Sequence, residues 1–223
     1  MGAKKPPRPR ARLVYEPETA EEMVAVDAIG RMAHRAGMKH RPHLAVIESP
    51  QVNAFAIRRG SFLRLMFPSH RGDNFIVGLS RGVMDTFTED EQEGVIAHEI
   101  AHAVHNDSLA FSLLCTGLLL LTGFGMAVVA YPFPQHSIPE MFSWVAACHV
   151  VWIGVSRWFL RRAEYRADEY AGLIAGKPQI LAALRAVGKA YPSNLRTPRG
   201  AFALFFSSHP DIEKRIARIE RSR

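Results

Sequence analysis

Residues 94–107, GVIAHEIAHAVHND, contain three histidines, with an acid directly after the first, at spacings that suit metal chemistry. Because residues four apart on a helix lie on the same face, His98 and His102 direct both imidazoles at one ion. Glu99 is rotated about 100° from His98 around the helix, so it reaches the attacking water rather than the metal. The HEIAH pattern therefore predicts two zinc ligands with a general base between them.

A catalytic zinc site needs a third protein ligand and keeps one position for water. The segment RRAEYRADEYAG offers Glu164 and Asp168, again four apart on a predicted helix. One carboxylate is expected to bind the metal while the other receives the N–H of a liganding histidine, and surface ion pairs are the alternative. His105 lies one turn too far along, and we interpret it as a cap or polar contact near the helix end.

Local sequence signals indicate the elements that must position these residues. Thr88 with Glu91 forms a capping-box pattern, which predicts that the helix carrying HEIAH begins near Glu89. Thr19 with Glu22 predicts an earlier helix in the same way. Three short apolar runs, HLAVIE, NAFAIR and NFIVGL, are typical of strands in one small sheet. The predicted fold class is therefore α+β, mainly helical with a small β-sheet.

Two long uncharged runs decide whether the chain is a soluble protein or a membrane protein. Residues 109–131 carry no charge and are long enough to cross a hydrocarbon core of about 30 Å. Residues 141–156 form a second run, which continues past Arg157 because an arginine near a helix end snorkels to the interface. Together they predict a transmembrane hairpin at 109–160. His149 within it is a polar group in a costly place, and we interpret it as an interhelical contact rather than a catalytic group.

The charge distribution bears on organisation and location. Lys and Arg number 28 against 21 Asp and Glu, a formal net charge of +7 that is concentrated at the two ends. Residues 1–15 are expected to be a basic disordered tail, and residues 16–223 a peptidase domain interrupted by the hairpin. No nucleic-acid-binding module is recognisable, so no nucleic-acid partner is expected. Residues 132–140 hold no Lys or Arg, so both termini and the active site are expected in the cytoplasm.

Four blocks occur in order along the chain: NAFA at 53–56, LSRGVMDTFTEDEQEGVIAHEIAHAVHND, RRAEYRADEYA, and SSHPDIEKRIARI near the end. With these blocks the chain resembles the integral-membrane zinc metallopeptidases that include the heat-shock protease HtpX and the type I CAAX prenyl endopeptidases. The resemblance implies a zincin-type fold of the gluzincin class. It also implies that His98, His102 and Glu164 bind one zinc ion, that Glu99 is the base, and that Asp168 supports the first histidine.

The resemblance further implies a zinc-dependent endopeptidase that cleaves an extended polypeptide at a lipid bilayer. Asn53, Ala54 and Phe55 would bind the substrate along an edge strand by β-augmentation. His209 is either a cap before the helix that Pro210 starts or a donor to the oxyanion of the tetrahedral intermediate.

A single hairpin does not enclose a large chamber, which favours quality control of membrane or unfolded proteins over prenyl-protein processing. The main alternative is an inactive membrane adaptor that retains a structural zinc site. Glu99 argues against that alternative, because a structural site has no need of a base. The oligomeric state is left open by the sequence.

Overall fold

The computed structural model describes residues 10–58, 75–130, 138–191 and 211–222. In this part of the chain the strands are β1 (Ala11–Val14), β2 (His43–Ile47), β3 (Ala54–Arg58) and β4 (Phe75–Ser80). The helices are α1 (Ala20–Arg35), α2 (Arg81–Thr86), α3 (Glu89–Val104), α4 (Asp107–Ala130), α5 (Ile138–Ile174), α6 (Lys177–Ala190) and α7 (Ile212–Arg221). The predicted fold class, mainly helical with a small sheet, is confirmed.

The sheet has the strand order β1-β2-β4-β3. The strands β2 and β4 run parallel to each other. The strand β1 pairs antiparallel with β2, and β3 pairs antiparallel with β4. The three apolar runs recognised in the sequence form β2, β3 and β4, so that prediction is confirmed. The strand β3, which carries NAFAIR, lies at one edge of the described sheet.

The predicted disorder of residues 1–15 is wrong for Ala11–Val14, which form β1. This strand is held by its ladder to β2 and by an ion pair between Arg12 and Glu22 of α1. The Glu22 side chain is fully buried, and a buried carboxylate requires a charged partner. Arg12, in the segment predicted to be a disordered basic tail, therefore supplies a positive charge that balances the buried Glu22 carboxylate. Residues 1–9 lie outside the described residues.

The helix α3 begins at Glu89 as predicted, with both bonds of the capping box present. The Glu91 carboxylate accepts from the Thr88 backbone N–H at 2.8 Å, and the Thr88 hydroxyl accepts from the Glu91 N–H at 3.4 Å. Fully buried Ile96 and Ile100 belong to the apolar core that α3 shares with the sheet, α1 and α6. These contacts place the HEIAH segment at the centre of the fold.

The helices α4 and α5 pack together as an antiparallel hairpin. The rings of Phe111 and Phe159 lie 6.0 Å apart near one end, and a Cβ at Gly125 would lie 2.8 Å from the Trp144 ring near the other. Both helices are long and apolar enough to cross a membrane, over Asp107–Ala127 and Met141–Ile174. Their outer surface has little protein cover in the described chain: Leu119 is 72% exposed and Phe124 is 69% exposed. A helix of a soluble core would be buried, so a bilayer is the medium that suits these side chains.

His149 lies on the exposed surface of this hairpin. Its Nδ1 lies 3.1 Å from the carbonyl oxygen of Val145, one turn earlier in the same helix. The predicted interhelical contact is therefore wrong. The local carbonyl provides a polar neighbour within α5 itself.

The close approach of α3 and α6 generates a stability prediction. A Cβ at Gly94 would lie 2.4 Å from the Gln179 carbonyl oxygen, so Gly94→Ala forces the two helices apart. We expect a loss of about 1–3 kcal/mol, seen as an apparent Tm several degrees lower in detergent. Gly30→Ala in α1 is the matched control, because its Cβ would meet only the flexible Arg41 side chain at 3.4 Å. Equal Tm values for the two variants would contradict the close approach.

Candidate metal centre

The helix α3 places His98 and His102 side by side. Their rings meet edge to face at a centroid distance of 4.7 Å, and the two Nε2 atoms lie 3.1 Å apart. His98 is buried and His102 is half-buried. The i,i+4 spacing thus directs both nitrogens at the same point, as the sequence predicted.

The long helix α5 brings Glu164 to the same point. One carboxylate oxygen, Oε2, lies 3.4 Å from His98 Nε2, and the other, Oε1, lies 3.5 Å from His102 Nε2. The ligand atoms of the three residues all lie within 4.8 Å of one another. Glu164 is buried, so the alternative interpretation, a surface ion pair, is wrong.

Two further carboxylates hold the other side of each imidazole. Asp168 Oδ1 lies 2.9 Å from His98 Nδ1, and Asp107 Oδ2 lies 2.7 Å from His102 Nδ1. A carboxylate accepts the Nδ1 proton, so in the neutral tautomer each Nε2 turns its lone pair toward the other. Two lone pairs at 3.1 Å repel unless a cation lies near both. This donor set therefore fits a metal ion.

Asp107 was missed by the sequence reasoning. It is the first residue of α4, and its other oxygen pairs with Arg166 of α5. The signal was a carboxylate five residues after the second histidine of HEIAH, just beyond the end of α3. The sequence does not show the turn at Asn106, whose φ of 53° lies between α3 and α4, and without that turn the position of Asp107 beside His102 could not be predicted.

Arg215 of α7 was missed as well. Its Nε and Nη2 donate to the Asp168 carboxylate at 2.7 and 2.6 Å, and its Nη1 lies 3.0 Å from Glu164 Oε2. The bidentate pair with Asp168 is buried on both sides. Nothing in the pattern KRIAR distinguishes this arginine from the exposed Arg218 on the same short helix.

The carboxylates give the site a field that favours positive charge. Burial lowers the pKa of His102, but hydrogen bonds to Asp107 and Glu164 outweigh it and raise the pKa to about 10. For His98, burial and the Arg215 charge act downward, yet Asp168 and Glu164 leave the pKa raised. Burial raises the pKa of Asp168, but Arg215 and His98 hold it below its usual value. A place that attracts protons so strongly also attracts a dication, which competes with those protons for the same nitrogens.

Glu99 is half-buried on α3 beside this cluster. Its negative charge is among the causes that raise the pKa of His102 and of Arg215. Glu99 therefore faces the site without belonging to the group of three converging donors. That position agrees with the role that the HEIAH spacing predicts for it.

His105, Asn53 and Phe55 lie apart from the cluster of three metal donors. His105 is the C-cap of α3, and its ring packs edge-on against Tyr170 at 5.1 Å. The interpretation of His105 as a residue of the helix end is therefore confirmed. The edge strand with Asn53 and Phe55 packs beside α3 but contributes no metal donor. His209 lies outside the described residues.

A helix with HExxH, a glutamate from a second helix and an exposed apolar hairpin together define a membrane metallopeptidase. The model of peptidase family M48 matches residues 21–223, so the chain belongs to that family. The family implies a polypeptide substrate and a metal cofactor, and the three converging donors are the group in the described chain that suits the metal.

The relatives that the chain resembles are HtpX proteases. It is 31% identical to a protease HtpX homolog of Janthinobacterium sp. (strain Marseille) over 93% of this chain and 74% of that protein. It is 29% identical to protease HtpX of Mannheimia succiniciproducens over 96% of this chain and 78% of that protein. The crystal structure of S. mikatae Ste24p has the same fold, with a TM-score of 0.64 at 18% identity. That comparison covers 95% of this chain, which spans about half (51%) of the Ste24p chain.

Metal binding should weaken to different degrees in two variants of this region and stay unchanged in a third, which is the control. Glu164→Ala removes one of three donors and should abolish stoichiometric metal. Asp107→Ala removes only the support of His102 and should weaken metal binding about 10–100-fold. His105→Ala lies outside the cluster and should leave metal content unchanged, so it is the matched control. Metal analysis of the purified proteins measures all three, and loss in His105→Ala with retention in Glu164→Ala would overturn the proposed third ligand.

Proposed function

We propose that the protein is a zinc-dependent endopeptidase in which His98, His102 and Glu164 bind one zinc ion. The observation that carries the proposal is the convergence of two Nε2 atoms and a buried carboxylate within 4.8 Å. Two imidazoles and one carboxylate suit zinc, and three protein ligands leave a position for chemistry. When bound, the zinc polarises the scissile carbonyl and lowers the pKa of water.

In this mechanism Glu99 moves the proton. Its carboxylate accepts a proton from the water that attacks the scissile carbonyl and then transfers it to the nitrogen of the leaving amine. The half-buried position of Glu99 beside His102 and Arg215 supports this role.

The surrounding residues hold the ligands in place. Asp168 and Asp107 accept the Nδ1 protons of the two histidines, which fixes the tautomer that leaves each Nε2 available. Arg215 bridges Asp168 and Glu164 and restrains both carboxylates. Because one guanidinium contacts two acids, α7 controls the position of both carboxylates that α5 supplies.

We place the substrate along the open edge of β3. Asn53 is exposed, but its backbone is engaged: its N–H donates to the Ser80 hydroxyl, and its carbonyl accepts from the Ser80 N–H, both at 2.9 Å. Bonding alternates along an antiparallel ladder, so the backbone of Ala54 and Ala56 turns away from β4. A substrate strand would therefore pair with these two alanines, while Asn53 contributes its side chain. Phe55 packs over Gly78 and supports the strand from the face of the sheet.

His209 remains our candidate for the donor to the oxyanion. It lies two residues before Asp211, the N-cap of α7, and Arg215 of that helix enters the metal centre. The alternative is a helix cap, although Asp211 already caps α7 by accepting from the Glu213 N–H at 3.0 Å. That local bond favours the catalytic role for His209.

The proposed role is quality control of membrane or unfolded proteins. In the described chain the catalytic domain is joined to a hairpin of two apolar helices, which would hold the active site near a bilayer surface. We also propose that residues 16–223 form one peptidase domain interrupted by the hairpin, with both termini and the active site cytoplasmic. The basic end of the hairpin near Arg161 and Arg162 supports this orientation.

Glu99→Gln tests the proton transfer. The amide cannot accept the proton of the attacking water, so the variant should retain zinc and fold while peptide cleavage falls to background. Cleavage of casein and of an unfolded membrane protein, measured beside zinc content, checks this. Cleavage at the wild-type rate would overturn the general base, and inactivity of both forms on all substrates would favour the inactive adaptor.

Cysteine labelling tests the topology. In a variant without Cys115 and Cys148, Gln135→Cys should react with a membrane-impermeant thiol reagent only from the non-cytoplasmic side of sealed vesicles. Arg185→Cys on α6, an exposed site of the catalytic domain, is the control and should react only from the cytoplasmic side. Reaction of both from one side, or release of the protein by alkaline carbonate, would show that the hairpin does not cross.

A further inference from the structure

Four arginines lie close together where α5 leaves its apolar half. Arg157, Arg161, Arg162 and Arg166 fall within residues 157–166, directly after the uncharged run. Trp158, in the same segment, is 56% exposed, and tryptophan prefers the boundary between hydrocarbon and water. With the hairpin in a bilayer, this segment therefore lies at the depth of the lipid headgroups.

The segment borders a shallow, half-open cleft. A cleft of about 440 Å³ lies between α5 and α7, with Arg161, Arg162 and Arg166 on one side and Arg218 on the other. Two aromatic rings orient the cationic groups at its ends. The guanidinium of Arg162 lies 5.5 Å from the Trp158 ring centroid, and that of Arg218 lies 4.8 Å from the Tyr165 ring.

The positive charge of this cleft is only partly compensated. Arg166 pairs with Asp107, and Arg218 pairs with Glu169 at 2.8 Å. Within the described ranges, neither Arg161 nor Arg162 has a carboxylate within ion-pair distance, and both are exposed. The acid nearest to them in sequence, Glu164, turns inward to Arg215.

We propose that this cleft, whose four arginines outnumber its single acid, Glu169, binds the phosphate of an anionic phospholipid headgroup; Trp158 and Tyr165 complete its lining. Arginine suits phosphate because its planar N–H groups match two phosphate oxygens at once. A lipid, rather than a free phosphate, is the occupant because exposed Trp158 lines the cleft and belongs to the same helix as the exposed apolar run, which would accommodate acyl chains. The proposal rests on the hairpin crossing a bilayer and not on peptidase activity.

The cleft is connected to the metal centre through side-chain contacts. Arg166 borders the cleft and pairs with Asp107, and Asp107 holds His102 Nδ1 at 2.7 Å. Two residues, Arg166 and Asp107, therefore connect a headgroup in the cleft to His102, a proposed zinc ligand. The proposed lipid site therefore lies beside the metal centre, at the end of the hairpin that joins the catalytic domain.

Native mass spectrometry of the full chain in a nonionic detergent tests the proposal. The probes are phosphatidylglycerol and phosphatidylcholine with identical acyl chains, and inorganic phosphate as competitor. Phosphatidylglycerol should bind more tightly. Because each juxtamembrane arginine contributes about a five-fold factor, Arg161→Gln with Arg162→Gln should weaken phosphatidylglycerol binding about 25-fold. Both side chains are exposed, so folding should persist, and an unchanged Tm checks this.

Two further variants separate a built site from general attraction. Arg31→Gln with Arg185→Gln removes the same charge from exposed ion pairs elsewhere on the catalytic domain and should leave phosphatidylglycerol binding unchanged. Arg161→Lys with Arg162→Lys keeps the charge but loses the planar pair of donors, so its phosphatidylglycerol binding should fall between that of the wild type and that of the glutamine variant.

Equal affinity for the two lipids, or equal losses in the Arg31/Arg185 and Arg161/Arg162 glutamine variants, would overturn the proposal. Displacement of the lipid by inorganic phosphate at equal concentration would assign the cleft to free phosphate instead. A hairpin that fails to insert is recognised independently, by release of the protein in alkaline carbonate.

Discussion

The arrangement of buried charge around two histidines constrains the rest of this protein. Asp107, Glu164 and Asp168 are all buried, and a buried carboxylate without compensation costs several kcal/mol. Arg215 offsets part of that charge, and the two imidazoles, or the cation that they are arranged to bind, offset the remainder. The helices that carry these groups must therefore meet with ångström accuracy. Metal binding and folding should be coupled, because each supplies charge that the other needs.

The hairpin takes part directly in this arrangement. Asp107 is the first residue of α4, and Glu164 lies in the same unbroken 37-residue helix as the apolar run of α5. A helix of that length extends about 55 Å, enough to cross a bilayer and still reach the metal centre. Packing between Phe111 and Phe159 then sets where the two helices enter the catalytic domain. The same two helices thus carry the apolar surface along one part of their length and residues of the metal centre at one end.

Features with a short sequence range were predictable. The i,i+4 pair of His98 and His102, the capping box at Thr88 and the length of the uncharged runs are local properties of neighbouring residues. Each depends on helix periodicity or on the thickness of a bilayer, which do not change with the fold. The resemblance to known metallopeptidases then connected Glu164 with the histidines, although a hairpin separates them in sequence.

Features that depend on a distant partner were decided by the tertiary structure. Arg12 and Arg215 look like members of basic tails, yet one neutralises Glu22 and the other bridges Glu164 and Asp168. His149 likewise found a carbonyl in its own helix instead of a neighbour across the hairpin. The periodicity of a helix states which face a side chain occupies but not what lies opposite that face. The role of a charged side chain depends on the group that it contacts, and that contact forms only after the elements have packed.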